Sequence, residues 1–235
     1  MAVCRTRSPF ATQQHSVYNP HENELEPTMS NVFPSRHPLV AHKLSRLRAT
    51  GTPPVEFRKL TGELSSLLAY EATANLKTDS IDVTTPMGAA TGATLNANIA
   101  LAPVLRAGIG MVAGIHTLTP DAAVWHIGLK RDEHTLEPIE YYVNRPTDAA
   151  ERTCLLLDPM LATGGSASAA CSLLKSWGAE IIKYIGLIAA PEGVERLQRD
   201  HPDVPIHVAG VDSHLNDIGF IVPGLGDAGD RQFST

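Results

Sequence analysis

Five short, predominantly apolar runs at residues 99–105, 124–129, 153–157, 181–189 and 206–211 alternate with segments of helical periodicity. A strand with one face in water alternates polar and apolar residues. Runs that do not alternate are buried on both faces, and in β–α–β succession they indicate a parallel sheet with helices on either side. The intervening helical segments are 109–118, a stretch carrying Ala170, Leu173, Leu174 and Trp177 that Gly178 closes, and a helix near 194–199. Ahead of this core, Leu39, Val40, Lys43, Leu44 and Leu47 recur at helical spacing up to Gly51. A second helix follows Pro53 and Pro54, running from Glu56 to about Leu76 with Phe57, Leu60, Leu64 and Leu68 on one stripe. Residues 81–94 mix β-branched residues with Gly and Pro and predict a hairpin or short strands. The expected fold is α/β: a central, mostly parallel sheet flanked by helices, with a helical N-terminal segment, a β-hairpin arm and a short tail after Ile221.

One domain is expected over 36–235, with order beginning near His37. Residues 1–35 carry Pro, Asn, Gln and His without periodicity and are expected to form a disordered extension. Within it Met29 is a candidate alternative start. Arg5 and Arg7, with no acid before Glu22, faintly resemble a transit peptide but lack its apolar face.

Nineteen Lys and Arg against 25 Asp and Glu leave a formal net charge of −6. Such a chain lacks the basic face of a general nucleic-acid binder, and no nucleic-acid partner is expected. Phosphorylated metabolites remain open, since a few cations and backbone amides can be focused at one site. The three cysteines, Cys4, Cys154 and Cys171, are odd in number and form no C-x-x-C, which fits reduced, buried thiols inside a cell. No apolar stretch approaches membrane-spanning length, so no membrane partner is expected and the expected location is the cytoplasm. His116, His126 and His134 show no metal-ligand spacing.

In open α/β sheets ligands bind beyond the carboxyl ends of the strands, which selects loops 106–110, 130–145 and 158–166. The last of these, Asp158, Pro159, Met160, Leu161, Ala162, Thr163, Gly164, Gly165 and Ser166, joins a buried strand to a helix. Its paired glycines let the backbone turn sharply and present consecutive amides to an anion. Thr163 and Ser166 add hydroxyls, and the following helix adds its positive N-terminus. Asp158 would repel a phosphate by itself, so its presence there points to a sugar diol or a metal-bound water nearby. A plain glycine turn would also join strand to helix, and no Walker loop is present.

Two glycine patterns suggest a dinucleotide instead. Gly224, Gly226 and Gly229 match G-x-G-x-x-G, but a helix is required directly after it and only six residues follow. Gly108 and Gly110 follow a strand and open a helix, with Asp132 at the end of the next strand. This is the alternative reading of a nicotinamide-dependent oxidoreductase. Arg106 intrudes between that strand and its first glycine, and loops 158–166 and 221–230 are left without a role.

The 155–166 segment, with its run DPMLATGGS, resembles the ribose-5-phosphate loop of type I phosphoribosyltransferases in the form typical of their uracil-specific branch. APVLRAGIG at 102–110, LEP at 136–138, AAPEG at 189–193 and IVPGLGDAGDR at 221–231 agree with it in order and spacing, over about 37–235. The resemblance implies transfer of 5-phosphoribosyl 1-diphosphate (PRPP) to uracil, giving UMP and diphosphate. By it, Asp158 to Ser166 bind PRPP together with Arg106, Arg131 and Asp227. Arg suits the diphosphate, because its planar fork of donors stays charged. Ile221, Gly226, Asp227 and Ala228 match positions that read the uracil, and Asp227 and Arg131 match catalytic ones. Phe220 stands where the family commonly has Tyr. The family's acid pair is Leu157-Asp158 here, as in the uracil branch, so no direct protein ligand to a metal is expected and Mg²⁺ would be carried by the diphosphate. Asp227 would reach Mg²⁺ through water or sit near the ring nitrogen that loses its proton. The charged stretch 131–145, with Tyr141 and Tyr142, matches a hairpin that closes on the substrates. A GTP activator and a homodimer or higher homo-oligomer are further expectations. A nucleotide-sensing RNA-binding regulator on the same fold would need a basic surface that this composition lacks.

Overall fold

The computed structural model describes residues 31–131, 138–143 and 146–235, with the backbone alone for 130–131, 138–141 and 143. The expectations for residues 1–30 of the extension, for Met29 and for Cys4 therefore lie outside the described residues. In chain order the elements are β1 (Val32–Pro34), α1 (Pro38–Arg48), α2 (Pro54–Ala72), β2 (Thr78–Thr85), β3 (Gly88–Leu95), β4 (Asn98–Leu105), α3 (Ile109–His116), β5 (Ala123–Val124), β6 (Ile127–Arg131) and β7 (Pro138–Val143). They continue with β8 (Arg152–Leu157), β9 (Met160–Leu161), α4 (Gly165–Ser176), β10 (Ile181–Ala189), α5 (Pro191–Asp200), β11 (Ile206–Val211), β12 (His214–Leu215), β13 (Ile221–Val222) and α6 (Ala228–Phe233). The main sheet runs β1-β11-β10-β8-β4-β6-β7, with β9 joined to β10 and β5 to β4. Every pairing in it is parallel except β6 with β7. This is the α/β architecture that the unalternating apolar runs predict.

β8 lies between β10 and β4, and its alternate residues serve opposite layers. Leu155 and Leu157 join Phe57, Leu60, Leu64 and Leu68 of α2 and Val40, Leu44 and Leu47 of α1 in one apolar cluster. Cys154 lies beside Cys171 of α4 on the other side; burial pushes the Cys171 thiol up to about 12 and that of Cys154 higher still. Both cysteines are fully buried, as expected for unreactive thiols.

Three boundaries differ from the sequence reading. The folded unit begins at Asn31 rather than near His37, because β1 adds to the edge of the sheet in parallel with β11. Three residues ending in proline are too few to display a period; Phe33 stacks on His207 with ring centroids 4.9 Å apart. Helix α2 ends at Ala72 rather than Leu76, where buried Lys183 donates to the Ala72 carbonyl at 2.6 Å and to Asn75 at 2.5 Å. The single strand expected at 124–129 is split into β5 and β6. Trp125 N donates to Leu101 O at 2.8 Å, but the next rung would need an N–H from Pro103, which has none. The short tail expected after Ile221 contains the end of β13 and α6.

The hairpin expected near 81–94 is β2–β3, paired from Thr78↔Leu95 to Thr85↔Gly88 in a sheet of its own. The strands at either end of the 131–145 stretch are β6 and β7; the segment between them lies outside the described residues, as do the side chains of Arg131 and Tyr141.

Helices α2 and α3 meet at two glycines with unequal room. A Cβ on Gly114 would sit 2.0 Å from the Gly62 carbonyl oxygen, whereas one on Gly62 would have its nearest neighbour at 3.7 Å. Ser66 Oγ bonds the Gly114 carbonyl at 2.6 Å across the same interface. Gly114→Ala is therefore expected to cost about 1–3 kcal/mol by overpacking, and Gly62→Ala to be neutral or slightly stabilising through helix propensity. Urea denaturation midpoints of the two variants check this; equal midpoints would show that the helices can part at no cost.

Candidate active site

The expected anion loop leaves the carboxyl end of β8 and is fixed from behind by β10 and α5. The Pro159 carbonyl accepts from Leu187 N at 2.9 Å and Ile188 N at 3.1 Å, and Met160 and Leu161 pair with Ile188 and Ala189 as β9. Ala190 N then donates to Leu161 O at 2.9 Å. A Cβ on Gly193 would lie 2.4 Å from Ala162 O and 2.6 Å from Leu161 O. The last glycine of AAPEG thus lets the first turn of α5 press on the loop. Glu192 beside it accepts from Leu215 N at 3.0 Å, and that amide holds its carboxyl below the usual range.

Gly164 turns the chain with φ 76°, a conformation that favours glycine. Any Cβ there would also meet Gly193 O at 2.8 Å. Helix α4 starts at Gly165 behind an N-cap residue, Gly164, that has no side chain to cap its first turn, and a helix N-terminus is a favourable place for an anion. Asp158, Met160, Leu161, Ala162, Thr163, Gly164, Gly165, Ser166 and Ala167 line an open concavity of about 250 Å³. All the expected loop residues except the buried Pro159 are brought to one surface.

Asp158 sits at its base, its Oδ1 3.4 Å from Met160 N, while Tyr184 OH bonds the Asp158 carbonyl at 2.8 Å. Burial pushes its carboxyl up to about 7, only partly offset by the Met160 amide. Such an acid is half-ionised near neutrality, and polar hydrogens brought by a ligand would favour its charged form.

The 106–110 loop lies against the same strand end. A Cβ on Gly108 would be 2.3 Å from Leu157 O, and one on Gly110 would be 1.7 Å from the Gln232 side-chain oxygen. These glycines are occupied by close approach of protein to protein, which overturns the dinucleotide reading of this stretch. Arg106 follows a cis peptide bond from Leu105 and is exposed, its guanidinium 3.7 Å from Asp230. Arg131 closes β6, the parallel neighbour of β4, so both arginines stand at carboxyl ends of adjacent strands.

The C-terminal segment completes the site's edge. Ile221 is buried in β13, Gly226 has φ 80°, and Ala228 is buried at the start of α6. Asp227 caps that helix by accepting from Asp230 N at 2.9 Å, and its carboxylate is exposed. The helix directly after Gly224-x-Gly226 corrects the expectation that none would follow. The pattern still lacks the preceding strand of a dinucleotide fold, since β13 pairs antiparallel with β12 outside the main sheet. Gly219, in the turn between those strands, approaches the Thr163 methyl, and Gly229 approaches Ala107, so the three segments adjoin.

Sequence reasoning missed the residues that hold this segment. Asp212 accepts from Arg48 at 2.7 and 2.5 Å and from Gly224 N at 2.9 Å, while Arg48 also donates to Gly224 O at 2.7 Å. Arg231 donates to Leu225 O at 2.8 Å and Ala49 O at 2.6 Å, lying 4.5 Å over the Phe57 ring. Asp212 directly follows β11, so the strand-end rule applied to every strand would have found it. Arg48 and Gln232 act across the fold and left no local signal, and Arg231 stands in the 221–231 run without a role assigned to it.

With this geometry in view, comparison with known proteins decides the family. Residues 34–235 match the family model described as uracil phosphoribosyltransferase. The chain belongs to the uracil phosphoribosyltransferase family. It is 56% identical over 207 residues to the uracil phosphoribosyltransferase of Roseiflexus castenholzii, covering 88% of this chain and 100% of that relative. Identity to the one from Dictyoglomus turgidum is 53%, over 85% and 97% of the two chains. Among solved structures, the AQ2163 protein from Aquifex aeolicus superimposes with a TM-score of 0.82 at 37% identity, over 87% of this chain and 98% of that one. The match begins at Pro34, within β1.

The raised Asp158 pKa sets a pH dependence. An acid whose folded pKa lies above its unfolded value costs no stability below about pH 4 and the full amount above about 7, with stability falling in between. Asp158→Asn keeps the contact with Met160 N without the buried charge. Its gain in unfolding free energy over the parent chain is expected to grow from pH 4 to 7, reaching about 1–4 kcal/mol at pH 8. Equal gains at pH 4.5 and pH 8 in urea unfolding would rule out a buried, titrating Asp158.

Proposed function

We propose that this chain joins uracil to PRPP, giving UMP and diphosphate. The observation that carries the reading is that the glycine loop at 158–167 and the Arg106 loop adjoin the C-terminal segment, through Gly219 and Gly229, at the carboxyl ends of β8 and β4, in a chain of this family. The reaction breaks the bond from the anomeric carbon to the diphosphate oxygen and forms one to uracil N1, which loses its proton. Bond breaking runs ahead of bond making, so the site must hold the leaving charge, align the base and exclude water.

The amides after Gly164, with the Thr163 and Ser166 hydroxyls, would take the 5-phosphate. Asp158 would accept from the ribose hydroxyls in its ionised form. Arg106, whose exposed partner Asp230 holds it only weakly, is free to turn to the diphosphate, with Arg131 joining it from the next strand. Backbone groups at Ile221, Gly226 and Ala228 would read the uracil edge. A cytosine there would leave buried groups unpaired and be rejected.

Mg²⁺, when bound, neutralises diphosphate charge. Among the described residues no three or more His, Cys, Asp or Glu converge as a metal site. The exposed carboxylate of Asp227 spends one oxygen on its helix cap and leaves the other to meet a hydrated cation or the base. Closure of the 131–145 stretch would keep water from the activated sugar.

The proposal extends to assembly and regulation. β2–β3 is exposed along almost its whole length, including Ile81 and Val83 on one face. A lone two-stranded ribbon is marginal in water, which supports a homo-oligomer in which a second copy covers it. GTP is carried as a candidate activator. Light scattering reads the assembly, and rates with and without GTP read the activation. Among the described residues no helix is long and apolar enough to cross a membrane, and a cytoplasmic location remains part of the proposal.

The test is UMP formation from PRPP and Mg²⁺ with uracil, cytosine, orotate and hypoxanthine offered separately. Turnover with uracil alone is expected, and no turnover with any base would overturn the reading. Arg106→Ala is expected to lower kcat/KM by roughly 100- to 1,000-fold, the scale for a preorganised contact to developing charge. A fall below about tenfold would remove Arg106 from the diphosphate site.

A further inference from the structure

Gln232 lies in α6 and is wholly buried, yet it belongs to neither loop expected to touch a substrate. Its Nε2 donates to Ala107 O at 3.1 Å and to Ala228 O at 3.0 Å. Ala107 directly follows Arg106, and Ala228 directly follows Asp227. One amide therefore joins the backbone of the proposed diphosphate loop to that of the proposed uracil turn. Its Oε1 is buried without a hydrogen-bond partner, held against Gly110 in the first turn of α3. Filling this space needs no polar group, and an apolar side chain of similar volume would bury no unpaired Oε1, at the cost of the donor to Ala107 O. The position of the two donor hydrogens is what Gln supplies and such a side chain could not. From the far side, Arg58 Nη1 of α2 donates to the Gln232 carbonyl at 2.6 Å, so the tie is anchored to the helical layer.

We infer that Gln232 is a positioning residue that couples the two halves of the site, making uracil binding and diphosphate binding depend on each other. A ligand that draws Arg106 inward shifts the Ala107 carbonyl. The shared amide carries that shift to Ala228 and thereby to the Asp227 cap and the Gly226 turn. Coupling of this kind is reciprocal: uracil must tighten diphosphate binding by the factor that diphosphate tightens uracil. The inference rests on the assignment of Arg106 and residues 226–228 to one site.

Uracil and diphosphate with Mg²⁺ do not react together, so the coupling can be read at equilibrium. Calorimetric titration of the full chain with uracil, with and without saturating diphosphate, is expected to show about tenfold tighter binding in its presence, a typical coupling. In Gln232→Met, which keeps the volume and loses the donors, the ratio is expected to fall below about twofold while diphosphate alone binds within about twofold of the parent chain. A purely structural role would lower the melting temperature and leave the ratio intact. An unchanged ratio in Gln232→Met, or a ratio of one in the parent chain, overturns the inference. Should Gln232→Met fail to fold, Arg58→Ala loosens the same tie from outside both loops; a lowered ratio there supports the coupling and an unchanged one overturns it. Arg106→Ala separates the two readings. If it binds diphosphate as the parent does, the site assignment fails; if it loses diphosphate while Gln232→Met keeps the ratio, only the coupling fails.

Discussion

The pairing of β8 with a parallel neighbour on each side places its last residues at a fixed height, and two of the three segments of the candidate site are hung from that height. Beyond Leu157, Asp158 N still bonds Ile185 O at 3.2 Å, so the loop leaves the sheet at a set point. On the β4 side, Gly108 brings its loop against Leu157 O. With all four residues from Cys154 to Leu157 wholly buried, β8 cannot slide or tilt without opening cavities in both layers, and interiors packed to this density resist such shifts. Rigidity in the core thus becomes precision at an open surface.

Behind the concavity the chain is held by backbone rather than by long side chains. Pro159 and Leu161 give their carbonyls to β10 and its continuation, and α5 approaches through Gly193 with no Cβ between. The loop is thus held from behind through its own backbone, ahead of the start of α4. The C-terminal segment is held in another way, by Arg48, Asp212 and Arg231 reaching across the fold. A short helix of six residues has little stability alone, and these ties supply what its length cannot.

The parts of this fold legible in sequence are those whose signal is local. The unalternating runs disclose the parallel sheet, and β10 and β11 fall where their apolar residues place them. The DPMLATGGS run discloses the loop that lines the concavity because its paired glycines serve backbone geometry directly. What escaped depends on partners distant in the chain. β1 is legible only once β11 is known to have a free edge, and the end of α2 only once Lys183 is known to lie beneath it. The break between β5 and β6 comes from a proline in the neighbouring strand rather than in either of them. At the site, glycines 108 and 110 resemble a dinucleotide turn in sequence, and only Leu157 and Gln232 explain them. Arg48, Asp212 and Gln232 carry no motif, since their work is to hold a loop 12 to 176 residues away or to join two of them.

A carboxyl group poised near neutrality makes the site a proton exchanger as well as a binding surface. Burial pushes the Asp158 carboxyl up to about 7, so without a ligand it exchanges its proton near neutrality. On the proposed reading, a sugar whose hydroxyls require the ionised form would expel that proton to solution as it arrives. The heat of binding then contains the heat of protonating whatever buffer receives it, and differs between phosphate and Tris at one and the same pH. Affinity likewise rises as the solution becomes more alkaline through this range, because less work remains in removing the proton.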